Sequence, residues 1–105
     1  MDLKTLGEKL GKIYPTAYWS FPEKQAPAMP YLVYFQTPSD NMAADNKVYF
    51  QKNTVAVELY TRYKDTEAEE AVEAFFDEND IFWQKSETHL DDENAYEVIY
   101  EIEVY

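Results

Sequence analysis

The sequence has no cysteine, which excludes disulfides and thiolate metal sites and fits an intracellular origin. Glycine is nearly as scarce, at two residues in 105, so the chain is neither low-complexity nor disordered in composition. A single histidine, His89, is present. It leaves the Ser and Thr hydroxyls no other imidazole partner, and no second His or Cys completes a transition-metal site. No apolar run approaches the roughly 20 residues of a membrane span. The opening MDLKTLGEKLGKIYP has neither the apolar core nor the small-residue cleavage site of a signal peptide. A soluble cytoplasmic protein is expected. The G-x-S-x-G, Walker and H-E-x-x-H patterns are all missing, so no enzyme, cofactor or metal is expected.

Basic residues are scarce in one region only. Residues 1–64 carry eight Lys/Arg against six Asp/Glu, a balance of +2. Residues 65–105 carry fifteen Asp/Glu against Lys85 alone, a balance of −14. The net charge of −12 and a pI near 4.3 oppose direct nucleic-acid affinity, because phosphates repel carboxylates. An acidic protein can still meet DNA, by guiding it through repulsion or by imitating it.

What the chain has in excess is aromatic residues, 17% with ten tyrosines. Tyrosine buries its ring and keeps its hydroxyl wet, which suits half-exposed sheet faces or protein contacts; it also simply covers strands.

Leu3, Leu6, Leu10 and Ile13 recur at helical spacing and predict a short amphipathic helix ended by Pro15. Gly7 and Gly11 weaken it by about 1 kcal/mol each relative to Ala. Pro15, Pro22, Pro27 and Pro30 exclude helix over 15–30, where Ala17–Phe21 reads as a short extended piece. Tyr31–Gln36 is a strand. Lys47 to Arg62 reads as extended chain with a kink near Lys52–Asn53. Within it Val55, Val57 and Leu59 face one way, and Ala56, Glu58, Tyr60 and Arg62 the other. Thr66 and Glu69 form a capping box opening a helix to about Asn79. Its apolar stripe is Ala68, Val72, Phe75 and Phe76, with Ala71 alongside, while Glu70, Glu73 and Asp77 point to water. Ile81–Thr88 and Ala95–Tyr105 are strands joined by an acidic turn, His89–Asn94. The last strand puts Tyr96, Val98, Tyr100, Ile102 and Val104 on one face, and Glu97, Ile99, Glu101, Glu103 and Tyr105 on the other. Residues 1–105 therefore form one α+β domain: a mostly antiparallel sheet with two helices on its apolar face.

His89 with Asp91, Asp92 and Glu93 reads as a solvated turn rather than a rigid site. Glu58, Glu97, Glu101 and Glu103 make an acidic outer sheet face. Tyr60, Ile99 and Tyr105 share it, which suggests contact with another subunit or a bounded channel as well as solubility. The loop carrying Ser39, Asp40, Asn41, Asp45, Asn46 and Lys47 exceeds the usual hairpin length and is a candidate binding loop.

The runs FPEKQAPAMPYLVYF, SDNMAADNKVYFQKNTVAVELYTRYKD, IFWQKSE and AYEVIYEI resemble small tail-completion or head–tail joining proteins of long-tailed phages and prophages of Gram-positive bacteria. The likeness is densest at Pro30–Tyr34, Ala44–Tyr49, Glu58–Asp65 and Phe82–Glu87, and spans nearly the whole chain. It implies an α-β-β-β-α-β-β order and a homo-oligomeric ring, monomeric when free. That ring would cap the tail tube and dock on the head connector, with Ser39–Asn46 as a loop that orders on assembly. It further implies host cytoplasm and then the virion as location, and DNA passing nearby without specific binding. A second expectation, from charge alone, is an acidic DNA mimic that inhibits a host restriction or defence protein.

Overall fold

A computed structural model describes residues 1–22, 25–37, 53–91 and 94–104. The elements follow in the order α1 (Leu3–Leu10), β1 (Thr16–Tyr18), β2 (Tyr31–Gln36), β3 (Asn53–Thr61), α2 (Thr66–Glu78), β4 (Trp83–Leu90) and β5 (Ala95–Val104). They build one five-stranded sheet in the order β1-β2-β3-β5-β4. β1 runs parallel to β2, and every other pair is antiparallel. This is the expected α-β-β-β-α-β-β arrangement, with a mixed sheet because the proline-rich connector returns the chain alongside its own start. Among the described residues no helix is long and apolar enough to cross a membrane.

Both helices lie on one face of the sheet. Leu6 and Leu10 of α1 and Ala68, Val72 and Phe76 of α2 meet Leu32, Val55, Val57, Leu59, Val98, Tyr100 and Ile102 in a single core. The strand alternation accounts for this: Val55, Val57 and Leu59 pair with Ile102, Tyr100 and Val98, and all six point to the helices.

Helix boundaries differ from expectation for identifiable reasons. α1 opens at Asp2, whose carboxylate accepts from the Thr5 N–H at 2.8 Å, and ends at Gly11, four residues before Pro15. Lys9 sits in its last turn, where a cation suits the helix dipole. α2 is capped by Asp65, which accepts from the Ala68 N–H at 3.1 Å, so Thr66 is the first helical residue and not the cap. Asp65→Ala should cost about 1 kcal/mol, read as a lower urea midpoint.

Gly7 is required by a close approach. A Cβ built there falls 2.1 Å from the Tyr34 hydroxyl oxygen and 2.7 Å from the ring carbon that bears it. Tyr34 is buried and its ring is held edge-on by Tyr18. Gly7→Ala gains about 1 kcal/mol of helix propensity and meets an overpacking cost of about 1–3 kcal/mol. The expected result is a net loss near 1 kcal/mol in chemical denaturation, despite the better helix former.

The expected extended piece at Ala17–Phe21 is shorter, because the chain reverses at Trp19. Trp19 has φ 72, and the Ser20 N–H donates to the Tyr18 carbonyl at 2.9 Å, closing a strained γ-turn. The exposed Trp19 indole stacks on Phe35 at 4.7 Å. β4 starts at Trp83 rather than Ile81, since the Ile81 N–H still donates to the Phe76 carbonyl at 2.8 Å. It runs through His89 to Leu90, shortening the expected turn. Of the expected extended chain from Lys47 to Arg62, the part before Asn53 lies outside the described residues.

Candidate interaction face

The sheet face turned away from the helices carries every expected acidic site residue. Four cross-strand rows set its surface. Val33, Glu58, Ile99 and Ser86 form one row; Tyr31, Tyr60, Glu97 and Thr88 the next. Phe35, Ala56, Glu101 and Gln84 form a third, and Thr54 stands opposite Glu103. These strand positions include Glu58, Glu97, Glu101 and Glu103 and no lysine or arginine. Among the described residues no helix covers them, yet Val33 and Ala56 are buried. Stacked rings stand on the same face: Tyr31 on Tyr60 at 5.1 Å, and Trp19 on Phe35.

Glu58 and Glu97 converge on one hydroxyl. The Tyr60 oxygen lies 3.0 Å from Glu58 Oε1 and 2.9 Å from Glu97 Oε2. A phenol has a single proton to donate, so it serves one carboxylate at a time. Partial burial pushes the Glu58 carboxyl above its usual range; the Tyr60 hydrogen bond opposes this, and the Glu97 charge adds to it. The Tyr60 hydroxyl is itself pushed well up, first by burial and then by its two acidic neighbours.

Of the acids of α2, Glu70 and Asp77 are exposed as expected, but Glu69 and Glu73 are not free surface charges. Glu69 is 3% exposed and pairs with Lys64 and Lys85, each at 2.9 Å. Glu73 does not point to water: it accepts from Lys85 and from the Tyr100 hydroxyl, both at 2.8 Å. Asp77 accepts from the Trp83 indole N–H at 2.9 Å, and Lys64 also bonds Glu87. This network lies on the helix side of the sheet. Burial works against the Glu69 charge, but the two ammonium groups outweigh it and hold the carboxyl below its usual range. No local spacing signals it, because Lys64, Glu69 and Lys85 belong to separate segments.

His89 is exposed, with Nδ1 2.9 Å from Asp91 and its ring 5.1 Å from Tyr96. Asp92 and Glu93 lie outside the described residues, as do Ser39, Asp40, Asn41, Asp45, Asn46, Lys47 and Tyr105. Among the described residues the geometry therefore defines an α+β domain with one helix-covered sheet face and one acidic, aromatic face that no helix covers. No family model, curated protein or solved structure matches this chain.

Proposed function

We propose that the chain is a non-catalytic phage structural protein that completes the tail or joins head to tail, assembling as a ring at the tail end. It would act in the host cytoplasm during assembly and then in the virion, between the tail tube and the head connector. The observation that carries this reading is the bare sheet face, where carboxylates alternate with stacked aromatics. Isolated in water, such a face leaves large rings half-exposed; against neighbouring subunits or a DNA path, the rings gain burial and the acids repel phosphate. The α-β-β-β-α-β-β order supports it as well, being the one that the resemblance implies.

The DNA-mimic reading needs carboxylates tracking phosphates along one surface. Here Glu69 and Glu73 are neutralised by Lys64 and Lys85 on the helix side, while Glu58, Glu97 and Glu101 lie across the sheet. That division disfavours mimicry. Electron microscopy of particles made without this protein separates the two. Overlong or unjoined tails are expected. Normal virions that grow poorly only on restricting hosts would overturn the assembly reading in favour of mimicry.

A further inference from the structure

Two surfaces outside the Glu58–Tyr60–Glu97 cluster are complementary in shape and charge. The first is at the far end of the bare sheet face. Phe82 is 68% exposed, and beside it Glu101, Glu103, Gln84 and Thr54 rim a shallow hollow of about 210 Å³. Trp83 and Lys85 point to the helix side, toward Tyr100 and toward Glu69 and Glu73, so strand alternation keeps Phe82 and Gln84 on the bare side. The second surface is a cleft of about 400 Å³ between the two helices. Ile13, Ala71, Ala74 and Phe75 give it an apolar lining, and Lys9 and Lys12 stand on its α1 rim, with Glu78 across from them.

Among the described residues two unpaired lysines stand together on this cleft. Lys64 and Lys85 are consumed by Glu69, Glu73 and Glu87. Lys9 and Lys12 have no ion-pair partner among the described residues, and neither has Glu101. An exposed ring flanked by carboxylates thus exists in the same chain as an apolar cleft rimmed by free ammonium groups. Charges of opposite sign at such surfaces steer and fix the register of a contact, while the apolar pair supplies the burial.

We infer that a second copy of this chain docks here, with its Phe82 entering the cleft between α1 and α2 and its Glu101 meeting Lys9 and Lys12. The inference rests on the ring reading above and names its contact. The two surfaces lie on opposite sides of the sheet, so each copy offers one to each neighbour, and the contact repeats head to tail. A heterologous contact of this kind closes into a ring when its rotation permits.

The test uses full-length protein in an equal mixture of light and nitrogen-15-labelled copies, at high concentration and low salt. A carbodiimide joins contacting amines and carboxylates directly. Light-to-heavy cross-links from Lys9 or Lys12 to Glu101 or Glu103 are expected. Sedimentation should show association that weakens as salt rises. Phe82→Ala with Glu101→Lys, and separately Lys9→Glu with Lys12→Glu, should each weaken self-association at least tenfold. Mixing the two variants should restore one-to-one pairing, because the cleft of the first still fits the Phe82 end of the second. All four positions are at or near the surface, and unchanged circular dichroism confirms that each variant folds. The ring reading has the free protein monomeric when dilute, and raising its concentration should drive the same contact; a wild-type protein that stays monomeric even at the highest concentration overturns the inference, as do variants that associate normally or cross-links confined to other residues. If both variants still cap isolated tails as the wild type does, this contact falls and the tail reading stands. If wild-type protein pairs as described but leaves tails uncapped, the tail reading falls and the contact stands.

Discussion

Phe76→Ala is expected to remove about 3–5 kcal/mol of folding stability, the largest loss for any single substitution proposed. Phe76 is fully buried. It is the residue by which α2 holds the sheet: its ring meets Tyr100 edge-on at 5.4 Å and lies 5.8 Å from Phe75. Its carbonyl also accepts from Ile81, fixing the exit of the helix toward β4. Truncation to a methyl group leaves a cavity that neither the sheet nor the helix can close, because both are tied by hydrogen bonds on either side. Domains of this size hold roughly 5–15 kcal/mol in total, so the variant should be largely unfolded at temperatures the wild type withstands. Urea titration followed by tryptophan fluorescence measures the loss. Phe82→Ala is the matched control: the ring is mostly in water, and the change should stay within about 0.5 kcal/mol. A loss at Phe76 below 1 kcal/mol would show that α2 is not anchored as described.

The contrast between these phenylalanines shows what a linear reading can and cannot reach. Helical spacing placed Phe76 on the buried stripe, and period-2 alternation correctly separated Val98, Tyr100 and Ile102 from Glu97, Ile99 and Glu101. Those signals are local, since each depends only on residues within a turn or a strand. The α2 cap was missed by one position because Asp65 and Thr66 can both cap, and only the backbone angle at Asp65 decides between them. Gly7 looked like a flaw in α1 because the ring it must admit, Tyr34, comes from a strand further along the chain. The same limit hid the Lys64–Glu69–Lys85 network, whose members meet only after β4 has been laid beside β5. Of the candidate site, the acidic face was legible as a set of residues. The convergence of Glu58 and Glu97 on the Tyr60 hydroxyl was not, because it depends on the register between β3 and β5.

Two glutamates of the fold respond to acid in opposite directions, Glu69 on α2 and Glu58 on β3. Glu69 is held ionised in the folded protein, so its folded value lies below the ordinary value near 4.5. The folded state then binds its proton less readily than the unfolded chain does, and the stability it contributes is present above that range. It disappears as pH falls through the folded value. Glu58 is raised in the folded protein, so the folded state binds its proton more readily. Its ionisation costs stability at neutral pH, and the cost is relieved as pH falls through the raised value. Glu69→Gln should therefore cost about 2 kcal/mol at pH 7. This takes charged hydrogen bonds at about 1.5–3 kcal/mol each and discounts them because Lys64 and Lys85 are partly in solvent. The deficit should shrink as pH falls through the lowered folded value, where the wild-type carboxyl also becomes neutral. Glu58→Gln keeps a group that accepts from Tyr60 and removes the repulsion with Glu97. It should raise stability at pH 7 by up to about 1 kcal/mol, with the gain fading as the solution is acidified. Measuring both variants against wild type at each pH cancels the background titration of the other carboxylates. A Glu69→Gln deficit that stays unchanged down to the acid limit of the folded state would mean the network acts through packing rather than charge, and a Glu58→Gln variant less stable than wild type at pH 7 would mean the two carboxylates on Tyr60 do not repel.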